Sequence, residues 1–187
     1  MALKTPEQYE ESLRTMNFRV YLMGELVKNV VDHPIIKPSM NSVKMTYALA
    51  QNPQHEDLMT AKSHLTGQKI NRFCHIHQNT EDLVKKVKMQ RLMGQKTGAC
   101  FQRCVGMDAI NAVDSVTFEM DKKLGTQYHN RFIKFLRMMQ EEDLTVDGAM
   151  TDPKGDRSLP PGKQADPDLY TRVVEKRKEG IVVRGAK

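Results

Sequence analysis

The sequence has no long hydrophobic run and very few cysteines, and each absence argues against a class of protein. No apolar stretch approaches the roughly 20 residues that a membrane-spanning helix requires, so we expect no membrane partner. The first residues, MALKTPEQYEESLR, lack the apolar core of a secretory signal. Only three of the 187 residues are cysteines, an odd number without the spacing of a disulfide scaffold. We therefore expect a cytoplasmic protein.

Aromatic residues are also scarce, at 6% of the chain, and this bears on its excess of positive charge. The net charge is +6, and the densest basic run is KKVKMQR at residues 85–91. Proteins that bind single-stranded nucleic acid interleave such cations with aromatic rings, and this run does not. A solvated helix face is therefore favoured and no nucleic-acid partner is expected. Attraction for a polyanionic small molecule, such as a CoA ester or a flavin nucleotide, stays open.

Helical patterns dominate residues 5–142, and we expect an all-helical domain over this range. Thr5 precedes Pro6 and an acidic first turn, which is a good helix start. Further helices are expected where a capping residue opens an apolar stripe: from Ser39 to about Asn52, from Thr80, from Cys100 to Leu124 with Gly125 as a left-handed cap, and from Thr126.

The pattern changes after Asp143. Residues 144–148 are strand-like, a loop rich in Asp, Pro and Gly follows, and two strands are expected at 169–176 and 181–184. The predicted fold class is a mainly α N-terminal domain at 1–143 followed by the start of a β domain at 144–187. Because a two-stranded hairpin alone is marginal in water, we expect the β domain to be incomplete and the chain to be an N-terminal fragment.

The stretch GACFQRCVG places Cys100 and Cys104 four residues apart. In a helix this spacing brings both thiols to one face, close enough to share an inorganic ligand. Two small buried hydrophobes are the blander alternative, and spacing alone favours it. Two cysteines are also only half a site, because iron–sulfur clusters and structural zinc usually take four ligands.

A second cluster, Cys74-His75-Ile76-His77, also contains possible metal ligands. The two histidines would point to opposite faces of a strand, or lie far apart around a helix. Structural burial is therefore the favoured interpretation, with a metal site as the alternative.

Several segments together resemble the 4-hydroxybutyryl-CoA dehydratase family, within the wider group of 4-hydroxyphenylacetate 3-monooxygenases. The resemblance covers essentially the whole chain. The Asp-Pro-x-x-Asp-Arg loop is shared with the monooxygenases, whereas Cys-x-x-x-Cys points to the dehydratase branch. The segments are VDHPII at 31–36, KINRF at 69–73, KKVKMQRLMGQK at 85–96, CFQRCVGMDA at 100–109 and DGAMTDPKGDR at 147–157.

The resemblance implies a fold and an activity. The fold would be like that of acyl-CoA dehydrogenases, here truncated, and the full-length protein would be a homotetramer. The activity would be a hydro-lyase reaction, the dehydration of 4-hydroxybutyryl-CoA to crotonyl-CoA, with isomerisation of vinylacetyl-CoA. It would proceed by a flavin-radical mechanism that uses FAD and is assisted by a 4Fe–4S cluster.

The resemblance also implies roles for particular residues. Cys100 and Cys104 would be two of the four cluster ligands, the others lying beyond residue 187, so the fragment alone would be inactive. Arg91 and Gln102 would be catalytic; otherwise each is an exposed helix residue. The loop that would bind FAD, and would otherwise be a plain turn, consists of Met150, Thr151, Asp152, Pro153, Lys154, Gly155, Asp156 and Arg157.

Two other functions remain open at this point. One is the large component of an FAD-dependent aromatic monooxygenase, in which the cysteines would be incidental. The other is a helical binding module that has kept the fold without the chemistry.

Overall fold

The computed structural model describes residues 3–187 and divides into two compact units, with the boundary between Asp147 and Gly148. The first unit is mainly helical, as the sequence predicts. Its helices are α1 (Pro6–Thr15), α2 (Lys37–Ala50), α3 (Glu56–Met59), α4 (Thr80–Thr97), α5 (Cys104–Leu124) and α6 (Tyr128–Glu141).

Local capping explains most of the helix boundaries. Thr5 and Gln8 form a reciprocal capping box at the start of α1, each side chain bonding the other's backbone N–H. The Asn79 side chain accepts the Asp82 N–H at 3.0 Å and opens α4. Gly125 ends α5 with φ +64°, which confirms the predicted left-handed cap.

Two small antiparallel hairpins interrupt the helices, so the expectation of a wholly helical range at 5–142 is wrong in this detail. In the first hairpin β1 (Tyr21–Leu22) pairs with β2 (Glu25–Leu26). In the second β3 (Thr60–Lys62) pairs with β4 (Lys69–Asn71). These strands are too short for a period-two pattern to distinguish them from loops.

The predicted start of α5 is also wrong, because this helix begins at Cys104 and not at Cys100. Likewise α2 begins at Lys37, before Ser39. Among residues 3–187, no helix is both long enough and apolar enough to cross a membrane.

Methionine side chains fill much of the core around α4 and α5. Met89, Met93 and Met107 are almost fully buried and pack with two phenylalanines. Burying each such side chain contributes about 1.5–3 kcal/mol. Phe101 and Met107 flank Cys104 in sequence, so the start of α5 is attached to this cluster on both sides.

The second unit contains one antiparallel hairpin, β5 (Arg172–Lys176) paired with β6 (Ile181–Arg184), with an irregular register after Val173. The two strands were predicted, β5 starting three residues later than expected. Residues 144–148 form no strand. Most side chains of this hairpin are exposed. That residues 144–187 begin a larger β domain stays a prediction.

Candidate functional site

The two cysteines predicted as metal ligands lie at the junction between α4 and α5. Gly98 ends α4 with φ +59°, and its N–H bonds the Gly94 carbonyl. Cys100 follows in the loop and is exposed, whereas Cys104 is the first residue of α5 and is half-buried. The pair therefore spans a loop and a helix start, and does not share one helix face as the spacing predicted.

The exposed Cys100 nevertheless affects the Cys104 thiol. Burial raises the pKa of the Cys104 thiol and the neighbouring Cys100 raises it further, while the backbone N–H groups of Val105 and Cys104 lower it. Thiolates are the form that binds metals, and a bound cation stabilises them by displacing their protons. Two neighbouring thiols, one of them at a helix N-terminus, are therefore a suitable donor set for two positions on an iron–sulfur cluster.

No other metal-binding group completes this pair within the described chain. Residues 3–187 contain no cluster of three or more His, Cys, Asp or Glu side chains able to hold a metal ion. Two thiols supply half of the ligands that a 4Fe–4S cluster needs.

Arg103, which directly precedes Cys104, is almost completely buried, with 1% of its surface exposed. Its guanidinium lies between the rings of Tyr47 and Phe73, 4.7 and 5.1 Å from their centroids. It donates to Thr46 Oγ1 and the Leu144 carbonyl, both at 3.0 Å. This side chain therefore joins the loop to α2 and to the segment after α6.

Asp143 balances the charge of Arg103. Its Oδ1 lies 3.4 Å from the guanidinium, and its Oδ2 accepts the Lys4 N–H at 3.1 Å. Cys74 Sγ lies 3.5 Å from the guanidinium, and burial raises the pKa of this thiol to about 12. Tyr47 completes the network by donating its hydroxyl to the Asp143 carbonyl at 2.9 Å.

Sequence reasoning missed this network, although one signal for it is present. Arg103, Met107 and Ile110 are spaced by four and three residues, so the arginine continues the buried stripe of α5. An arginine in line with such a stripe indicates a buried cation with partners elsewhere in the fold. Nothing in the local pattern identifies Asp143 as its partner.

Gln102 has a left-handed backbone, with φ +65°, which is rare and strained for a residue other than glycine. It is half-buried and lies at an open, mainly apolar groove of about 370 Å³ in the first unit. Thr145, which bonds the Tyr47 hydroxyl, also lines this groove. The groove can therefore hold an apolar group next to a single amide.

Arg91 lies on the exposed face of α4. The buried Met89 and Met93 are two residues away on either side, so they occupy the opposite face of the helix. The structure brings Gln102 into the cysteine loop, but it places Arg91 on the preceding helix, facing solvent.

The predicted FAD loop belongs to the second unit and is mostly exposed. Asp156 accepts from the Ser158 N–H and hydroxyl at 2.9 and 2.6 Å, which closes a turn. Gly155 packs closely against Tyr170, and a Cβ there would collide with the tyrosine hydroxyl. The loop thus has an internally fixed shape that presents the Lys154 and Arg157 cations to solvent.

The Cys74–His77 cluster forms separate contacts rather than one site. Cys74 faces Arg103, whereas His75 Nε2 lies 3.0 Å from Asp82 Oδ2. The backbone N–H of His77 donates to Asn111. These contacts support the structural interpretation of the cluster.

Comparison with known proteins places this arrangement in a family. Residues 5–187 match the family model described as 4-hydroxyphenylacetate 3-hydroxylase N terminal. The chain belongs to this family. The match includes both the cysteine loop and the loop at 150–157.

One relative has a much higher sequence identity to this chain than membership of the family requires. The 4-hydroxybutyryl-CoA dehydratase/vinylacetyl-CoA-Δ-isomerase of Clostridium aminobutyricum is 66% identical over 185 residues, which cover 99% of this chain and 38% of the relative. The chain thus spans less than two fifths of that relative's length.

Two solved structures show the same fold. An oxygen-tolerant archaeal 4-hydroxybutyryl-CoA dehydratase from N. maritimus is 55% identical with a TM-score of 0.91, over 98% of this chain and 36% of that one. The oxygenase component of a 4-hydroxyphenylacetate 3-monooxygenase, complexed with FAD and 4-hydroxyphenylacetate, is 26% identical with a TM-score of 0.74, over 97% and 37%. The chain is therefore more similar to the dehydratases than to this monooxygenase.

Proposed function

We propose that this chain forms the N-terminal part of a 4-hydroxybutyryl-CoA dehydratase that also isomerises vinylacetyl-CoA. The observation that carries the proposal is the 66% identity to the Clostridium aminobutyricum enzyme over nearly the whole chain. Identity to the oxygenase component is much lower, at 26%. The dehydratase reaction removes water from HO–CH₂–CH₂–CH₂–CO–S–CoA and leaves CH₃–CH=CH–CO–S–CoA.

In this proposal Cys100 and Cys104 hold two positions of a 4Fe–4S cluster, and the two remaining ligands come from beyond residue 187. When bound, such a cluster supplies a Lewis-acidic iron for the departing hydroxyl group. The support from this structure is the donor set, two neighbouring thiols of which one lies at a helix N-terminus. These residues fit two ligand positions and no more.

We also propose FAD as a cofactor, held in part by residues 150–157. FAD supplies one-electron chemistry, needed because the thioester carbonyl does not acidify the C3–H bond that must break. The support is that the related oxygenase component was solved with FAD. Lys154 and Arg157 are exposed cations suited to the diphosphate of a dinucleotide.

Gln102 and Arg91 are proposed to act on the substrate or the flavin. The Gln102 amide, at the apolar groove, would orient a carbonyl or hydroxyl group by hydrogen bonding. Arg91 would stabilise negative charge on an enolate oxygen or on the flavin, and its exposed position leaves the guanidinium accessible. An acyl-CoA dehydrogenase-like architecture and a homotetramer are proposed from the family resemblance. A cytoplasmic location is proposed from the few cysteines, which lack the spacing of a disulfide scaffold.

The test is a chimera in which residues 1–187 replace the matching segment of the Clostridium aminobutyricum enzyme. Purified without oxygen, it should convert 4-hydroxybutyryl-CoA to crotonyl-CoA and contain about four iron atoms per chain. The Cys100→Ala and Cys104→Ala chimeras should retain FAD but lose iron, sulfide and activity.

The unaltered Clostridium enzyme and the exposed-site variant Lys178→Ala in the chimera are the matched controls. A folded chimera that lacks iron and hydroxylates 4-hydroxyphenylacetate with reduced FAD and oxygen would favour the monooxygenase. A folded chimera with neither cofactor would favour the binding module.

A further inference from the structure

The cysteine pair raises a geometric question that its ligand role does not answer. Cys100 lies in a loop and Cys104 begins a helix, so no single secondary-structure element fixes the distance between the thiols. Gln102, between them, has a strained left-handed backbone. Such strain persists only where the surrounding structure imposes it. Some tertiary contact must therefore hold the loop in this conformation.

Arg103 makes the contacts that can do so. Its backbone N–H donates to the Phe101 carbonyl at 2.8 Å, which tightens the turn around Gln102. Its side chain runs into the core, where it reaches Thr46 of α2 and Leu144 after α6. Because Cys104 follows directly, the direction of Arg103 also sets the direction in which α5 presents its first thiol.

Stability alone is a poor explanation for this arginine. Burying a guanidinium requires full desolvation, and apolar side chains of similar size often serve stability as well or better. Arg103 Nε has no hydrogen-bond partner among the described residues, so even here the group is not fully satisfied. Its planar, forked set of donors does provide direction, since it bonds several fixed acceptors at once.

A second contact fixes the same helix start. Gly106 packs so closely on Val146 that a Cβ would collide with the valine carbonyl oxygen. Leu144, two residues before Val146, accepts from Arg103. The segment at 143–146 therefore contacts α5 at two neighbouring points.

We propose that Arg103 is the positioning residue of the Cys100–Cys104 pair, holding the loop so that one ligand bridges both thiols. The inference deepens the proposed function, because the bridging ligand in the protein would be the cluster. Its test, however, depends on thiol geometry and not on iron or catalysis.

The probe is phenylarsine oxide, added to the reduced, metal-free 187-residue chain. The arsenic exchanges its oxygen for two sulfur atoms, and the two thiol protons leave with the oxygen as water. The wild-type chain should bind one equivalent and thereby protect two of its three thiols from Ellman's reagent. Cys100→Ser and Cys104→Ser should each abolish this bidentate protection.

Arg103→Met should weaken arsenical binding by about 10–100-fold, the range found when the residues that support metal ligands are changed. Arg103→Lys, which keeps the charge but not the fork, should restore binding only in part. In Arg103→Met the buried Asp143 carboxylate loses its cationic partner. The double variant Arg103→Met/Asp143→Asn removes that charge, and should bind the arsenical as weakly as Arg103→Met. Circular dichroism establishes that each variant is folded at the assay temperature.

Leu136→Ala is the matched control for general destabilisation, because Leu136 is fully buried in a different cluster from the loop. It should lose stability and keep wild-type arsenical binding. The inference is overturned if folded Arg103→Met binds like wild type, if Leu136→Ala weakens binding equally, or if the wild-type chain does not bind bidentately. Arg103-dependent binding alongside an iron-free chimera would overturn the proposed cluster while supporting the positioning role.

Discussion

At the scale of single residues, Gln102 combines an unfavourable backbone conformation with a position beside the candidate metal ligands. A non-glycine residue in the left-handed region costs about 1–2 kcal/mol. We expect Gln102→Gly to be more stable than Gln102→Ala by about 1 kcal/mol, because only glycine adopts φ +65° without steric strain. Urea unfolding of the two variants measures the difference.

Both variants lack the amide, so in the chimera both should lose activity despite their different stabilities. Equal stabilities, or alanine above glycine, would show that the loop relaxes and that the left-handed conformation is not enforced.

Cys74 supplies a second residue-scale prediction, concerning alkaline pH. Burial raises the pKa of its thiol from 9.0 to about 12, and the groups facing it are Arg103, Asp143, Tyr47 and Lys4. The native state keeps the proton that the unfolded state loses above pH 9. The contribution of the protonated Cys74 thiol to the free energy of unfolding is therefore complete below pH 9. It is lost as the pH rises towards 12, by up to about 1.4 kcal/mol per pH unit.

The free energy of unfolding, measured in urea between pH 8 and 10, should therefore fall above pH 9. Cys74→Ala should flatten this fall, because it removes the thiol whose pKa burial raises. Tyr47, whose pKa burial raises to about 12, extends the loss of stability above pH 10 in all variants. An identical slope for Cys74→Ala and wild type between pH 9 and 10 would contradict this account.

At the scale of elements, the helix boundaries that follow from local chemistry could be predicted from sequence. Thr5 and Gly125 act through their own backbone and nearest neighbours, and both predictions are confirmed. The loop at 100–103 and the irregular segment at 144–148 could not be predicted. Both depend on distant groups: the Arg103 side chain donates to Thr46 and to the Leu144 carbonyl, and the Tyr47 hydroxyl donates to the Asp143 carbonyl just before the second segment.

The same distinction applies to the candidate site. The residue types mark the two cysteines as candidate ligands, whereas their spacing alone favours two buried hydrophobes. The family resemblance predicts the ligand role, which stays a proposal. The buried network that holds the loop consists of contacts between residues far apart in sequence, such as Arg103 and Asp143, which are 40 residues apart. Local patterns contain no information on such pairs.

Gly106 and Gly94 provide a matched pair of helix glycines. A Cβ at Gly106 would collide with the Val146 backbone, whereas a Cβ at Gly94 would have no atom within 4 Å. Gly106→Ala should destabilise the chain by about 1–3 kcal/mol through overpacking. Gly94→Ala should stabilise it by about 0.5–1 kcal/mol, because alanine restricts the unfolded chain and favours the helix.

Thermal and urea unfolding of the two variants give the sign directly. In Gly106→Ala the start of α5 is also displaced, so bidentate arsenical binding should weaken. A Gly106→Ala variant as stable as wild type would mean that Val146 is free to move. The contact between Gly106 and Val146 would then not fix the start of α5.

At the scale of the whole molecule, the two units differ in how much they bury. The helical unit contains the buried clusters around α2, α4, α5 and α6, whereas most side chains of β5 and β6 are exposed. Local opening costs least where few apolar contacts are broken. In hydrogen exchange followed by mass spectrometry, peptides from β5–β6 should exchange at least about 100-fold faster than those from α6. Similar protection in both would show that the hairpin is stabilised by contacts beyond its own unit.

The last prediction concerns what the 187-residue chain does alone. Within residues 3–187 only the Cys100–Cys104 pair offers adjacent thiols, and no larger group of metal-binding side chains surrounds it. A cluster held by two thiolates leaves its other irons exposed to solvent and easily lost. After anaerobic reconstitution with iron and sulfide, the isolated chain should therefore retain far fewer than four iron atoms and form no crotonyl-CoA. The chimera should retain about four iron atoms and form crotonyl-CoA. Because the folded loop is the same in each, arsenical binding should be equal in the two proteins. Crotonyl-CoA formed by the isolated chain would show that residues 1–187 suffice for catalysis, and would overturn the requirement for the missing ligands.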